Sequence, residues 1–306
     1  MTGHALVIGE ALIDVVLGSD GSTVAHPGGS PANVAIGLGR LGRDVELLAY
    51  LADDANGEMI RRHLEQSHVS LAAGSLHAPR TSVATAHLNE SGVATYAFDL
   101  TWAIADGAAP RPGPRVLHTG SIAAVLQPGG TDVLNLVRAL RGTATITYDP
   151  NARPTLMGEP AVALEAIEAV VAEADVVKVS DEDVAWLAPG LDVNEVARGW
   201  LSLGPAIVVM TRGADGATAY TRDGREVSVP APKVIVADTV GAGDSFMGGL
   251  IDGLWTAGVL GADRRAALAA LDDATLTSIL ERCVRIASIT VSRPGANPPG
   301  SGELGE

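Results

Sequence analysis

The sequence predicts an α/β protein with three layers, helix–sheet–helix, around a mostly parallel central sheet, together with a small β lid. Two observations lead to this prediction. From about residue 115 onward, short β-branched runs alternate with segments of helical periodicity, the pattern of crossover units in a parallel sheet. Residues 81–98 differ, because two alternating β runs are joined by Asn89-Glu90-Ser91-Gly92, a hairpin signal. A hairpin does not fit a parallel sheet, so we expect it to form part of the lid.

The predicted elements follow one another within a single domain that spans residues 1–306. Lid strands are expected within about 11–26 and 80–104, where the apolar pattern has period two. The clearest helix follows a glycine-rich turn and has apolar residues at 246, 247, 250, 251 and 254, which form one face. In chain order, central strands are predicted at 4–9, 44–51, 115–120, 144–149, 175–180, 206–210 and 233–237, and helices at 31–42, 56–69 and 245–255.

The charge balance narrows the class of partner. The 306 residues include 36 acidic and 21 basic side chains, a net charge of −15, which disfavours nucleic acid and anionic membrane surfaces as partners. A phosphate ligand stays open, because a local site can oppose the global charge. The N-terminus has no basic signal region, and no uninterrupted apolar run reaches the roughly 18 residues of a membrane span. We expect a soluble cytoplasmic protein.

Cysteine and histidine usage predicts neither a disulfide nor a histidine metal site. Cys283 is the single cysteine and lies in a helix-like run, so we expect a buried structural thiol. The seven histidines are scattered along the chain. Even His63 and His68 are five residues apart, a spacing that does not place both on one helix face.

Residues 37–42 read GLGRLG and match the dinucleotide-binding fingerprint, which would indicate an oxidoreductase. That motif has its meaning only where it follows a strand and opens a helix. Here it lies inside a helix that begins near Pro31, so its glycines are expected to permit close helix packing. A Walker-type phosphate loop is excluded, because neither Lys178 nor Lys233 follows the required glycine spacing.

The stretch DTVGAGDSF, residues 238–246, predicts a tight glycine turn and a helix N-terminus. Such a turn exposes unpaired N–H groups at the positive end of a helix dipole, which suits an anion. We therefore expect Gly241, Ala242 and Gly243 to cradle a transferring phosphoryl group, with Asp244 taking the proton from an attacking hydroxyl. The alternative is that Asp244 only caps its helix.

A second glycine motif, HPGGSPANVA, begins a helix near the N-terminus. Gly28 and Gly29 allow the backbone to approach a ligand closely, and Asn33 offers both a donor and an acceptor on the first helical turn. Ordinary turn chemistry explains the same residues equally well. This motif alone therefore leaves a binding site and a structural turn open.

Together the two motifs resemble the two signatures of the ribokinase family of carbohydrate kinases, also called the PfkB family. GGSPANVAIGLGRLG and DTVGAGDSFMGGLI lie about 200 residues apart in the order of that family, and the resemblance covers essentially the whole chain. It implies a ribokinase-like α/β/α fold with a β lid over the sugar site, and transfer of the γ-phosphate of ATP to a sugar hydroxyl. A homodimer formed through the lid is a further implication.

Carried over to this chain, the resemblance implies the roles of most site residues. Asp244 is the expected catalytic base, and Gly241, Ala242 and Gly243 are the anion hole. Asp14, in EALIDVV, matches the acid that binds sugar hydroxyls, because a carboxylate can accept from two vicinal hydroxyls. The sugar pocket is completed by Gly28, Gly29 and Asn33.

The stretch KVSDEDVAWL resembles the N-x-x-E element with which the family places magnesium and phosphates. Here it departs from the pattern, since Ser180 stands for the asparagine and Asp183 for the glutamate. The same S-x-x-D pattern is typical of a capping box, so function and cap are both open. With Lys178, these residues are assigned to the cofactor site, and Asp183 is expected to reach Mg²⁺ through water.

Two further positions follow from the resemblance. TRGADG matches a turn that lines the ATP site, through Thr211, Gly213 and Gly216. Asp238 matches a position near a bound monovalent cation, which makes K⁺ an expected cofactor beside ATP and Mg²⁺.

The acceptor is expected to be D-fructose, because YDPNARPTL, SRPGANPP and the opening GEALIDVV resemble fructokinases. Arg153 could neutralise phosphate or bind an acidic sugar, which leaves 2-keto-3-deoxygluconate kinase open. Nucleoside kinases are disfavoured by an aromatic content of 3%. A catalytically weak, sugar-binding regulatory protein is the alternative from another class.

Overall fold

The computed structural model describes residues 3–18, 21–88 and 94–305. Its strands are β1 (Ala5–Ile8), β2 (Leu12–Leu17), β3 (Thr23–Gly28), β4 (Val45–Leu48), β5 (Val69–Leu71), β6 (Val83–Leu88), β7 (Ala94–Asp99), β8 (Val116–Gly120), β9 (Thr145–Asp149), β10 (Val176–Ser180), β11 (Ile207–Thr211), β12 (Ala217–Thr221) and β13 (Glu226–Val229). Its α-helices are α1 (Ser30–Arg40), α2 (Ala55–Gln66), α3 (Gly129–Leu140), α4 (Pro154–Met157), α5 (Pro160–Val171), α6 (Asp181–Leu187), α7 (Val193–Leu201), α8 (Ala242–Thr256), α9 (Arg265–Ala269) and α10 (Asp273–Val291).

The larger sheet has the order β13-β12-β11-β10-β9-β8-β1-β4-β5. Its pairs are parallel from β11 through β5, while β12 and β13 add an antiparallel edge. The parallel strands are buried along nearly their whole length, as expected for a sheet covered on both faces. The predicted α/β/α class with a mostly parallel sheet is confirmed.

Two apolar cores lie on opposite faces of this sheet. On one face, side chains of β1 and β4 pack against α1, α8 and α10, with Leu38, Leu250 and Leu280 all inaccessible to solvent. On the other face, α3, α5, α6 and α7 cover the strands, and Trp200 is the largest side chain that is almost fully buried there. Cys283 belongs to the first core, where burial raises the pKa of its thiol, so the predicted structural thiol is confirmed.

The second sheet has the order β3-β2-β6-β7. Strands β6 and β7 pair antiparallel with Ala84 opposite Phe98, as the alternating pattern predicted. Strand β2 joins them to β3, with Asp14 opposite His26 on one side and Ala84 on the other. The connecting residues 89–92, on which the hairpin prediction also relied, lie outside the described residues.

One predicted strand is wrong. Residues 233–237 form no strand, although they are β-branched, and Ile235 is 91% exposed. Pro230 and Pro232 precede this segment and supply no backbone N–H for a ladder. The N–H of Ala237 instead donates to the carbonyl of Val291, which draws the segment toward the end of α10. Without a neighbouring strand, β propensity does not determine the structure.

The GLGRLG glycines lie in α1 and in the turn that ends it, which contradicts a dinucleotide loop. A Cβ on Gly39 would lie 2.0 Å from the carbonyl oxygen of Ser67, so a bare Cα is required there for close packing. A Cβ on Gly37 would meet only Pro298, at 4.0 Å. The predicted role in close packing is therefore confirmed for Gly39 and wrong for Gly37.

The two glycines provide a matched test of this packing. We expect Gly39→Ala to lower the free energy of unfolding by about 1–3 kcal/mol, because the backbone around Ser67 must shift. Gly37→Ala should raise it by roughly 0.5–1 kcal/mol, because alanine favours the helix and meets no obstacle. Urea unfolding of both variants measures the difference, and equal effects would contradict the packing argument.

Candidate active site

The predicted site residues converge on one edge of the large sheet. Strands β1, β8, β9, β10 and β11 all end there, since they are parallel, and the residues that follow them project into the same region. This carboxyl edge is where open α/β sheets bind ligands. The N-terminus of α8 also lies at this edge, because Asp244 in its first turn contacts the loop that follows β9.

Asp244 is buried, with 5% of its surface exposed, and three donors surround its carboxylate. The hydroxyl of Ser30 donates to Oδ1 at 2.7 Å, and Nδ2 of Asn33 donates to Oδ2 at 2.8 Å. Nδ2 of Asn151 donates to Oδ1 at 3.2 Å and to Ser30 Oγ at 2.7 Å. The carboxylate is thus oriented from α1 and from the loop after β9, while a carboxylate has about four acceptor positions and keeps one for a further ligand.

Asn151 adopts a backbone conformation that non-glycine residues seldom have, with φ of 36°. Its N–H donates to Asp149 Oδ1 at 3.2 Å, and Nη1 of Arg153 donates to its Oδ1 at 2.6 Å and to its carbonyl at 3.1 Å. These contacts hold Asn151 in a strained position that aims its amide at Asp244. Strain of this kind is typical of functional sites.

The glycine turn before α8 has the backbone geometry expected of an anion-binding site. Gly241 is left-handed, with φ of 76°, and a Cβ there would lie 2.6 Å from Ala296. Among the described residues, no backbone acceptor takes the N–H of Gly241, Gly243 or Asp244. A Cβ on Gly243 would lie 2.9 Å from Lys178 Nζ, so a lysine ammonium adjoins these free N–H groups.

Lys178 and Asp149 form a buried ion pair beside this glycine turn, with Nζ and Oδ2 2.9 Å apart. Burial raises the pKa of Asp149 to about 6, against the opposing effect of the lysine. For Lys178, burial lowers the pKa, but the carboxylates of Asp149, Asp183 and Asp244 more than compensate, and the pKa lies above its ordinary value. The lysine therefore stays cationic at neutral pH.

Ser180 and Asp183 form the capping box of α6. Ser180 Oγ accepts the N–H of Asp183 at 3.0 Å, and Asp183 Oδ2 accepts the N–H of Ser180 at 3.1 Å. The other oxygen of Asp183 accepts the N–H of Ala152 at 2.8 Å. The structure therefore contains the predicted helix cap. The same carboxylate also holds the loop that carries Asn151.

The remaining residues assigned to the cofactor also lie at this edge. Thr211 is opposite Ser180 in the β10–β11 ladder, and the turn after it contains Gly213 and Gly216 with φ of 48° and 93°. A Cβ on Gly216 would lie 2.0 Å from a backbone oxygen, so this turn requires glycine.

Asp238 lies further along, before the glycine turn of α8. Its Oδ1 accepts the N–H of Val240 at 3.0 Å, and its Oδ2 accepts the N–H of Gly295 at 2.8 Å. The C-terminal stretch that contains Gly295 and Ala296 is thereby held against the glycine turn.

Gly28, Gly29 and Asp14 lie at the opposite side of the site. A Cβ on Gly28 would lie 2.0 Å from Asp14 Oδ2, and one on Gly29 would lie 2.5 Å from the carbonyl of Glu10. Any side chain at 28 would therefore displace the Asp14 carboxylate. The protein around the Asp14 carboxyl removes part of its hydration and so raises its pKa, while Arg153 and His26 oppose the shift. The residue nevertheless keeps an exposed surface, so a ligand can reach it.

Sequence reasoning missed three residues of this region. Ser30 was interpreted as turn chemistry, Asp149 as the end of a strand, and Glu10 as part of the resemblance to fructokinases. Each is a polar residue at the end of an apolar run, but only the fold shows that these ends meet. Glu10 is 6% exposed, and burial raises the pKa of its carboxyl to about 7.

A buried carboxylate at a helix N-terminus, beside free N–H groups and a lysine, has the parts required for phosphoryl transfer to a hydroxyl. Residues 3–301 match the family described as pfkB family carbohydrate kinase. The chain belongs to this family of carbohydrate kinases, and the resemblance found in the two glycine signatures is confirmed.

Two curated relatives cover most of the chain. It is 37% identical to a fructokinase of Rhizobium leguminosarum bv. trifolii over 260 residues, 81% of this chain and 79% of the relative. It is 33% identical to a fructokinase of Klebsiella pneumoniae over 278 residues, 88% of this chain and 89% of the relative.

Two solved structures have the same fold. Fructokinase from Xylella fastidiosa superposes with a TM-score of 0.81 at 25% identity, over 98% of this chain and 97% of that one. Aminoimidazole riboside kinase from Salmonella enterica, complexed with aminoimidazole riboside and an ATP analogue, superposes with a TM-score of 0.78 at 25% identity, over 99% and 98%.

The contacts of Asp183 generate a stability prediction. We expect Asp183→Ala to lower the free energy of unfolding by about 2 kcal/mol, because the N–H groups of Ser180 and Ala152 lose their acceptor. Asp183→Asn keeps an oxygen acceptor and serves as the matched control with a smaller loss. Urea unfolding measures both. An unchanged unfolding midpoint for Asp183→Ala, combined with altered Mg²⁺ dependence, would favour the metal role over the cap.

Proposed function

We propose that this protein transfers the γ-phosphate of ATP to the hydroxyl of a ketose, converting D-fructose to fructose 6-phosphate. The observation that carries the proposal is the environment of Asp244, a buried carboxylate held by Ser30, Asn33 and Asn151 beside the free N–H groups of the glycine turn. Asp244 would take the proton of the attacking hydroxyl, and the N–H groups of Gly241 and Gly243 would form the anion hole. The predicted contribution of Ala242 is wrong for its N–H, which already donates to the carbonyl of Thr239 at 3.3 Å.

Lys178 supports this role, because its ammonium adjoins Gly243 and stays cationic through its pair with Asp149. It would neutralise part of the charge on the transferring group. Mg²⁺ carried by the phosphates would supply further neutralisation. No group of three or more His, Cys, Asp or Glu side chains able to hold a metal occurs among the described residues. That agrees with an ion bound largely through phosphates and water, which Asp183 would contact through a water molecule.

The nucleotide is assigned to the β10–β11 side of the site, where Lys178, Ser180 and the turn with Thr211, Gly213 and Gly216 lie. Asp238 holds the C-terminal stretch at Gly295 against the glycine turn before α8. Its carboxylate would be the centre of a K⁺ site, in which backbone carbonyls would supply the other ligands.

The sugar is assigned to the side of the small sheet, where Asp14 and the Gly28–Gly29 turn lie beside Asn33. Asn33 already donates to Asp244, so its role would combine sugar binding with orientation of the base. Arg153 donates through Nη1 to three oxygens of residues 151 and 152. This engagement favours positioning of Asn151 over capture of an acidic sugar.

The small sheet would act as the lid of this pocket within a single kinase domain, and would be the surface for a homodimer. Its outer strands expose apolar side chains, with Tyr96 60% and Val24 47% accessible. Tyr96 also stacks on Phe98, with ring centroids 6.0 Å apart. A second copy of this chain would cover such a surface.

Fructose as acceptor rests on the names of the two relatives, both called fructokinase. A riboside is the second candidate, since aminoimidazole riboside kinase has the same fold over nearly the whole chain.

No helix in residues 3–18, 21–88 and 94–305 is long and apolar enough to span a membrane.

The role of Asp244 is tested by Asp244→Asn. We expect kcat to fall by roughly 10²–10⁴, the usual contribution of a general base, with nucleotide and sugar binding retained. Ser30→Ala removes one hydrogen bond of about 1 kcal/mol to the same carboxylate, so it should cost only about fivefold. Steady-state kinetics with binding by calorimetry checks both, and near-normal kcat in Asp244→Asn would refute the base assignment.

The acceptor is tested by ADP release from Mg-ATP with D-fructose, 2-keto-3-deoxygluconate, ribose, adenosine and aminoimidazole riboside. We expect the highest kcat/KM with D-fructose. Turnover of another acceptor alone would keep the kinase and replace the sugar. Binding of sugar and ATP without any turnover would support the regulatory alternative.

A further inference from the structure

Glu10 follows β1, which lies between β8 and β4 in the large sheet, and is enclosed by the site without being part of its assigned chemistry. Only 6% of the residue is exposed, and its Oε2 is buried without a hydrogen-bond partner. An ionised carboxylate in such a place is costly, because no donor replaces the water that Oε2 has lost. The residue is therefore best accommodated as the neutral acid.

The backbone of Glu10 supports the turn that orients the catalytic carboxylate. A Cβ on Gly29 would lie 2.5 Å from the Glu10 carbonyl, so the two backbones are in direct contact. Gly29 precedes α1, whose first turn carries both Ser30 and Asn33, the donors to Asp244. A shift of Glu10 is thereby transmitted to the hydrogen bonds of the base.

A strained residue acts on the carboxyl of Glu10. Ser121 has φ of 55°, although it is not glycine, and its hydroxyl lowers the pKa of that carboxyl. Asn151 is also a non-glycine residue with positive φ, and its amide donates to Asp244. Backbone strain at both positions is typical of a functional site, so we treat the residues around Glu10 and around Asp244 as parts of one site.

We propose that Glu10 is a positioning residue that takes up a proton from solvent when a phosphate enters the site, so that its buried carboxyl becomes fully neutral behind the turn that orients Asp244. This rests on the proposed function, since the phosphate is placed beside Asp244. The charged groups that act on Glu10 are Arg153, from the loop after β9, and Asp244, from α8.

The direction of the proton uptake follows from these charges. Burial raises the pKa of Glu10 to about 7, Ser121 and Arg153 lower it, and Asp244 raises it. A phosphoryl group beside Asp244 adds negative charge from the same direction, so it raises the pKa further. Near pH 7, where Glu10 is roughly half ionised, binding should draw in up to about half a proton.

Calorimetry of a non-hydrolysable ATP analogue with Mg²⁺ at pH 7, in two buffers of different ionisation enthalpy, measures that uptake. We expect wild type to take up about half a proton more than Glu10→Gln, because Asp149 beside the glycine turn also titrates and contributes equally in both, and Glu46→Gln to take up the wild-type amount. Glu46 is the matched control, a buried acid of β4 whose carboxylate accepts the N–H of Arg111. Equal uptake by wild type and Glu10→Gln, or none in wild type, overturns the inference. No binding of nucleotide at all overturns the proposed function, and this inference with it.

A measurement without ligand and a second variant strengthen the test. Because the folded pKa of Glu10 lies above the ordinary 4.5, the folded protein binds more protons than the unfolded chain between about pH 4.5 and 7. Wild-type Tm should therefore fall relative to Glu10→Gln as pH rises through this window, and a constant difference counts against a titrating Glu10.

If Glu10→Gln does not fold, Ser121→Gly, which tolerates the positive φ, should move the pH of maximal proton uptake upward. An unmoved maximum overturns the inference.

Discussion

The orientation of the Asp244 carboxylate is the constraint on which the rest of the site depends. Its donors come from α1 and from the loop after β9, so three separate chain segments must arrive within hydrogen-bond distance. Gly29 and Asn151 both adopt uncommon backbone conformations to make this possible. The packing of α1 against α8, on the same face of the sheet, brings the two signature motifs together across the core.

Negative charge is concentrated at this edge of an already acidic protein. Asp149, Asp183 and Asp244 are all buried there, close to the buried ammonium of Lys178. The protein compensates in different ways: an ion pair for Asp149, backbone donors for Asp183, and side-chain donors for Asp244. Free N–H groups at α8 complete the compensation and supply the positive potential that an incoming phosphate requires. A net charge of −15 is therefore compatible with an anionic substrate.

The departure from the family's N-x-x-E element has a physical consequence. With Ser180 and Asp183 in those positions, the pair closes a capping box and the second carboxylate oxygen binds the loop at Ala152. The shorter acid is thus placed to hold protein backbone. Its link to Ala152 couples the cap of α6 to Asn151, and through Asn151 to Asp244.

The sequence by itself determined the layered α/β class, most central strands, and the glycine turn before α8, because periodicity and turn chemistry are local properties. It wrongly predicted a strand at 233–237, since only the fold shows that no neighbouring strand is available there. Strands β5, β12 and β13 were missed for the same reason: their pairing depends on partners distant in sequence. Tertiary structure alone decided that Ser30, Asn33 and Asn151 share one carboxylate, and that Oε2 of Glu10 is buried without a hydrogen-bond partner, because hydrogen bonds between residues more than 90 positions apart follow from packing.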